Sequence, residues 1–377
     1  MRYSLFLVLV AVAFCVEDIS AHVNSIPGLS WRAKVGGYSH LNNLTFLAPQ
    51  AKHFQRFAKT VSSMLPTSSY LKSAPTLELP DSYDVRTDRN CKSFEVQNQA
   101  QCGSCYAFSA ASTFSDYLCI TKEANVVLSP QHIVSCSNNF KCDGGTVTRT
   151  VCCHLFSHPS VLSFMKKGIV TDEDFPYVSG DGKTIPTCHK FKKAQKYKAK
   201  KTSILFEGDM EYNMRHQIYK HGSAIGTMQV WSDFPSYESG IYRRTVPDDY
   251  KNDLGGHAIK IVGWGEENGV KYWTCQNSWG KNWGENGFFR ILRGEDESAI
   301  ESETGFTAPC PEGYGAWYFN LCLATNINVV IMVVVVGHVL AILACCYGCY
   351  RCTCGKKRSN VPSGYVTVDE ALISTDV

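Results

Sequence analysis

A cysteine, a histidine and an asparagine stand out in this chain as residues whose surroundings suit covalent chemistry. Cys105 ends the run Gln99, Ala100, Gln101, Cys102, Gly103, Ser104 and opens a segment in which Ala, Phe, Leu and Cys recur at helical spacing. A thiol on the first turn of a helix lies near the positive end of the backbone dipole, which favours thiolate, and thiolate is the nucleophile. Such a nucleophile needs a base and a group that orients the base. His257, which follows Gly255 and Gly256, supplies an imidazole, and Asn277, which precedes Ser278, Trp279 and Gly280, supplies an amide carbonyl. The Gln99 side chain offers an N–H that, with the backbone N–H of Cys105, is suited to hold a developing oxyanion.

These residues need elements to carry them. The periodicity predicts one long buried helix over 104–122, and the glycines and polar residues of 138–145 predict a loop. Short strands separated by Gly and Asn turns are predicted over 223–231, 257–264, 271–275 and 287–292. A helical first half and a strand-rich second half imply two lobes with a cleft between them, where a site would lie. Lys190, Lys192, Lys193, Lys196, Lys198, Lys200 and Lys201 form a basic run, read as the solvated edge of a strand or loop. Residues 16–74 are polar and turn-rich with scattered aromatics, including Trp31 and Tyr38, and read as accessory rather than core.

At the Gln99 to Ser109 stretch the chain resembles the papain family of cysteine peptidases, whose local signature is Cys-Gly-Ser/Ala-Cys-Trp/Tyr. The likeness extends through 136–145, 255–265 and 277–287, in the order nucleophile, His, Asn, and covers 79–305. It implies an α+β, papain-like two-lobe fold, with a helical left lobe and a β-barrel-like right lobe around a cleft, acting on protein and peptide substrates. Within that family the resemblance is to cathepsin B, carried by Gly255, Gly256, His257, Ala258 and Ile259 and by 288–303. It implies that Cys105, His257, Asn277 and Gln99 are catalytic, with Trp279 shielding the His/Asn contact. Gly144, Gly145, Trp279, Trp283 and Glu303 are implied to bind substrate, Glu303 as the acid at the floor of the S2 pocket. The implied disulfides are Cys91 with Cys119, Cys102 with Cys142, and Cys136 with Cys188. No cofactor and no metal is implied.

Two departures bear on specificity. Tyr106 replaces the more usual Trp, which keeps an aromatic body. Cathepsin B carries a histidine-bearing occluding loop that makes it a dipeptide-removing exopeptidase, and no comparable loop is found here, so endopeptidase action is expected. The residues 146–158 instead include Cys152, Cys153, His154 and His158. A tolerated surface insertion is preferred to a zinc site, because vicinal cysteines do not easily face one metal. Cys275 reads as a buried strand thiol, and Cys310 and Cys322 as closing a stalk loop.

The two ends of the chain give its compartment. Residues 5–16 are apolar behind Arg2, with small residues placed for cleavage, so 1–15 read as a signal peptide. Residues 329–347 form a run of 19 without acidic or basic side chains except His338, long enough for a ~30 Å hydrocarbon core. Arg351, Lys356, Lys357 and Arg358 follow it, whereas 308–328 hold no Lys or Arg, so the chain is read as a single-pass type I membrane protein with 348–377 in the cytosol. Residues 16–78 are then an inhibitory propeptide, held in part by ionised carboxylates, 79–305 the peptidase domain, and 306–328 a lumenal stalk. Asn43 begins the only Asn-X-Ser/Thr sequon, and Tyr365 with Val368 forms a tyrosine-x-x-bulky pattern of the kind adaptor proteins read. The expected location is the secretory pathway and a lysosome-, vacuole- or endosome-like membrane with a lumenal peptidase domain.

Composition agrees. The chain of 377 residues is 44% hydrophobic, 19% charged and 12% aromatic, which excludes disorder. Its net charge of +3, from 37 basic and 34 acidic residues, gives no reason to expect a nucleic-acid partner. Its 18 cysteines point to an oxidising compartment.

Overall fold

The computed structural model describes residues 19–38, 41, 77–87, 89–137, 141–144, 165, 167–188, 190–198 and 210–301, with the backbone of 316–318 and 321–323. All belong to the first of the chain's two compact units, Met1–Ala324. Among the described residues no helix is long and apolar enough to cross a membrane. The span 329–347, the signal peptide, Asn43, Gly145, the insertion 146–158, Glu303, Cys310, Tyr365 and Val368 lie outside the described residues.

The predicted nucleophile helix is α2, Cys105–Ile120, which follows α1, Ile19–Ser25. Small and apolar residues occupy nearly every face of α2, and Tyr106, Ala107, Phe108, Ala110, Ala111, Phe114 and Leu118 are all buried, so it runs through the interior. It ends where Thr121 Oγ1 donates to the carbonyl of Tyr117 at 2.8 Å and Lys122 turns left-handed, at φ 59°. Beside it, α3, Pro130–Cys136, starts on a proline, with Ser129 accepting the N–H of His132. A further helix, α4, Met210–His221, leads into the sheet.

The sheet contains β1, Trp31–Ala33; β2, Tyr83–Asp84; β3, Ala224–Trp231; β4, Tyr237–Tyr242; β5, Asp253–Glu267; β6, Val270–Gln276; and β7, Phe288–Leu292. Its order is β1-β4-β7-β6-β5-β2, with β3 also paired to β5, and all pairs are antiparallel except β4 with β7. The strand β5 is longer than its apolar run predicts, because it serves two partners on one edge. Residues 253–261 pair with β3 and 263–264 with β2, while β6 takes the other edge. A separate hairpin pairs β8, Ala316–Tyr318, with β9, Leu321–Leu323.

Two hydrophobic clusters result. One lies within the sheet, around Trp264, Trp273, Trp279, Trp283, Phe289 and Ile291. The other surrounds α2 and α3, and it takes Ile225 from β3 and Ala258 from β5, so the two clusters meet along the face of β5 that looks at α2. The lysines at 190, 192, 193, 196 and 198 are exposed, on a stretch that bridges Ile169 through Tyr197, as the edge reading expects.

The N-terminal segment corrects the accessory reading. Val23, Trp31, Ala33, Tyr38 and Leu41 are buried in the sheet-side core. Trp31 packs against Tyr237 and Tyr242, with ring centroids 6.0 and 5.1 Å away, and its indole N–H donates to the Arg243 carbonyl at 2.8 Å. The strand β1 completes the open edge of β4, and a polar, turn-rich composition carries no signal for such an edge pairing. Among the described residues, docking hydrogen bonds come from backbone groups and from Ser30, Trp31 and Tyr38. A carboxylate enters one layer behind, where Glu285 accepts the Gly240 N–H at 2.9 Å.

Backbones approach most closely where β2 crosses β5. A Cβ on Gly263 would sit 2.1 Å from the Tyr83 carbonyl oxygen. Gly263→Ala should therefore force β2 off the sheet and cost about 2 kcal/mol, a Tm lowered by roughly 4–8 °C in a thermal melt.

Candidate active site

The start of α2 is held on three sides. The disulfide Cys102–Cys142 ties the preceding loop to 141–144, the Gly103 N–H donates to the Cys142 carbonyl at 2.8 Å, and the Tyr106 hydroxyl donates to the Lys141 carbonyl at 2.9 Å. Gly144, in the left-handed region at φ 86°, follows directly. Cys91–Cys119 clamps the far end of the helix to the segment before it, and Cys136–Cys188 joins α3 to 188. These are the three pairs the resemblance implies. Cys105 and Cys275 are free and buried. Burial alone pushes the Cys275 thiol, near the end of β6, well above its ordinary range, which keeps it a thiol.

Cys105 sits at the first position of α2 with its sulfur against the backbone N–H of Ala258, the residue after His257. Burial raises its pKa, and the N–H groups of Ala258, Tyr106 and Cys105 itself pull in the opposite direction. The N–H groups of Tyr106 and Cys105 belong to the start of α2, and that of Ala258 to β5. His257 Nε2 lies 2.8 Å from Asn277 Oδ1, which also accepts the Ser278 N–H at 2.8 Å, so the amide carbonyl is fixed toward the ring. The other ring nitrogen, Nδ1, is buried and has no hydrogen-bond partner among the described residues. Trp279 lies over the imidazole, centroids 4.9 Å apart at 34°. Trp283 is a layer deeper, fully buried, edge-on to Trp279 with its N–H on the Pro235 carbonyl.

Gln99 is fully buried. Its Nε2 donates one proton to the Cys102 carbonyl at 2.9 Å and keeps a second, while its Oε1 accepts the Ser278 hydroxyl at 2.5 Å. Sequence reasoning missed Tyr177, whose hydroxyl donates to the Gln99 carbonyl at 2.9 Å and lies 2.9 Å from Ser104 Oγ. Burial pushes that phenol up to about 12, so it remains a donor. A lone tyrosine in a loop gives no sequence signal of this role. Gln97, Ser109, Ser112, Lys260, Gln276 and Asn277 line a crevice between α2 and β5.

The structure thus brings Gln99, Cys105, His257, Asn277 and Trp279 together at the junction of the two clusters, with Gly144 on the tethered loop beside them. A thiol at a helix start, an imidazole with one committed and one open nitrogen, and a side-chain amide N–H nearby are the kinds of group that acyl transfer uses.

Comparison with known proteins decides the family. The family model for papain family cysteine proteases matches residues 79–308. The chain belongs to the papain family of cysteine peptidases. It is 34% identical over 299 residues to cathepsin B-like CP3 of Giardia intestinalis, covering 70% of this chain and 91% of that one. It is 33% identical over 249 residues to cathepsin B-like cysteine proteinase 4 of Caenorhabditis elegans, covering 59% and 73%. Among solved structures, procathepsin B S9 from Trypanosoma congolense superposes with a TM-score of 0.61 at 27% identity, covering 78% of this chain and 98% of that one. The chain is therefore a cathepsin B-like papain-family peptidase of the α+β, two-lobed papain fold.

Burial holds the His257 imidazole down at about 4, against the upward pull of Asn277. A depressed histidine stabilises the fold fully above its unfolded pKa of about 6.5, and the contribution is lost as pH falls from there through 4. In Cys105→Ala, where no thiolate can raise the imidazole, the NMR titration of His257 should have its midpoint near the value that burial sets. The melting temperature should then fall between pH 6.5 and pH 4 by more than in Cys105→Ala/His257→Gln, a difference of up to about 3 kcal/mol.

Proposed function

We propose that the chain is the zymogen of a membrane-tethered, cathepsin B-like thiol endopeptidase, with Cys105, His257, Asn277 and Gln99 as its catalytic residues. The observation that carries this reading is the buried His257–Asn277 contact of 2.8 Å beside a helix that begins at Cys105. His257 Nδ1 takes the Cys105 proton, and the thiolate attacks the scissile carbonyl carbon. The oxyanion accepts the free Gln99 Nε2 proton and the Cys105 N–H. Collapse of this intermediate breaks the C–N bond as His257 returns its proton to the leaving amine. His257 then deprotonates water, which attacks the thioester; the acid is released and the thiol restored. Asn277 holds the ring in one orientation throughout, under the cover of Trp279.

Substrate binds along Gly144 and Gly145 on one side and Trp279, with Trp283 behind it, on the other. Glu303 at the floor of S2 accepts arginine beside hydrophobic side chains through a charge-assisted contact. Residues 16–78 act as the propeptide, which the docking of β1 on β4 supports. Residues 306–328 form a stalk, 329–347 the membrane helix and 348–377 a cytosolic tail in which Tyr365 and Val368 engage adaptors. The apolar run and the basic residues behind it support that topology. The lumen of a lysosome-, vacuole- or endosome-like compartment is the place of action, and Asn43 carries the glycan.

The deciding experiment labels the processed enzyme with a thiol-reactive epoxide and assays Arg-Arg and Phe-Arg peptide substrates. Labelling and turnover should both vanish in Cys105→Ala, and Gln99→Ala should lower kcat about 10²-fold. An unlabelled, inactive wild type would refute the assignment. Glu303→Ala should cost Arg-Arg turnover about ten- to a hundredfold and leave Phe-Arg turnover nearly unchanged. In the precursor, Trp31→Ala removes a core side chain from the docked segment alone. It should unmask activity before processing while the mature enzyme keeps its wild-type kcat.

A further inference from the structure

Three residues beyond His257, β5 carries a lysine that the chemistry above does not use. Lys260 is 1% exposed, and its Nζ donates to Asp116 on α2, lying 3.1 Å from Oδ1 and 3.0 Å from Oδ2. Asp116 is fully buried, three turns along the helix that begins at Cys105. The lysine's remaining donor goes to the Ser93 carbonyl at 3.0 Å, and Asp116 Oδ2 also accepts the Ser223 hydroxyl at 2.5 Å. Ser93 stands two residues after Cys91, whose disulfide to Cys119 fastens the end of the same helix. The buried ammonium is thus hydrogen-bonded to Asp116 Oδ1 and to the Ser93 carbonyl, and both carboxylate oxygens have partners.

This network joins the two elements that carry the candidate thiol and imidazole. Along β5, Ala258 and Lys260 face α2, while Ile259 and Ile261 belong to the sheet core. The helix is therefore seated on β5 twice, at Ala258 against Cys105 and at Lys260 against Asp116. Ala258 and Lys260 also line the crevice that Asn277 lines. Apolar contacts along α2 are non-directional, whereas the lysine's hydrogen bond to Asp116 is directional and its bond to the Ser93 carbonyl holds the lysine itself.

We propose that Lys260 and Asp116 are positioning residues for the active site: their buried ion pair fixes α2 on β5 and so sets the Cys105–His257 geometry on which kcat depends. The proposal rests on the reading of Cys105 and His257 as the catalytic pair. Burial draws the lysine's pKa down and Asp116 draws it up, while the next charges, Arg86 and Asp84, oppose each other.

The test uses enzyme expressed as the full chain and processed, in the variants Lys260→Arg, Asp116→Asn and Lys260→Met/Asp116→Leu. The double variant replaces the charges with apolar groups of similar size, a change that commonly leaves folding intact. Thermal melts report the fold, epoxide alkylation against pH reports the thiolate–imidazolium pair, and steady-state kinetics separate kcat from KM. Displacement of the pair by about an ångström should lower kcat in the double variant about 10²-fold with KM nearly unchanged. The acidic limb of its alkylation profile should move, and Lys260→Arg should keep most of the wild-type rate. A double variant with wild-type melting temperature, kcat and alkylation profile would overturn the proposal and leave the catalytic assignment standing. Alkylation of wild type that survives Cys105→Ala would sink both.

Discussion

The arrangement of this molecule depends on one buried contact between opposite charges. Two hydrophobic clusters, one inside a sheet and one around a helix, share a seam along β5, and apolar packing alone would hold such a seam in many nearly equal registers. Lys260 and Asp116 select one. Each has lost its water, and in a medium of low polarity each is tolerable only while the other is present, with Ser93 and Ser223 supplying the remaining bonds. Removing one partner from such a pair costs about 3–5 kcal/mol, since it strands the other charge. Replacing both partners by apolar groups of similar size is often neutral, so the pair acts on geometry more than on net stability.

Around that seam several polar groups of the site bond one another. Tyr177 and Ser278 bond Gln99 from either side, and Asn277 is held by the Ser278 N–H as well as by His257. Burial pushes the imidazole and the thiol each toward its neutral form. Their mutual attraction, the hydrogen bond from Asn277 to the imidazole and the N–H groups of Ala258, Tyr106 and Cys105 at the sulfur favour the charged pair. A pair that owes its ionisation to near neighbours responds to small displacements of them, which is why the seating of the helix matters to chemistry several residues away.

The segment around Trp31 shows the same physics applied to an edge. The outer side of β4 offers unpaired backbone groups and two tyrosine faces, and the chain covers both with its own strand and tryptophan. Gly240, at φ 98°, permits the approach: a Cβ there would lie 2.4 Å from the Ser30 carbonyl oxygen. Ser30, Trp31 and Tyr38 make their docking bonds with neutral groups, and Glu285, which accepts the Gly240 N–H behind them, is held by Arg290.

Much of this was legible in the sequence. Helical spacing located α2 to within two residues, period and turn residues located β3, β5, β6 and β7, and the order Gln99, Cys105, His257, Asn277 identified the chemistry, because these signals are local and each is written within a few neighbouring positions. A lysine inside the apolar run 257–264 was the one visible hint of the buried pair, and its partner, 144 residues away in the chain, was not marked by any pattern. Likewise, β1 and β4, Tyr177 and the burial of Trp31 rest on contacts between residues 78 to 212 positions apart. Such contacts exist only once two lobes and a sheet edge have formed. Composition and spacing thus determined which groups could react, and tertiary packing alone decided which of them are dry, which are paired and which meet.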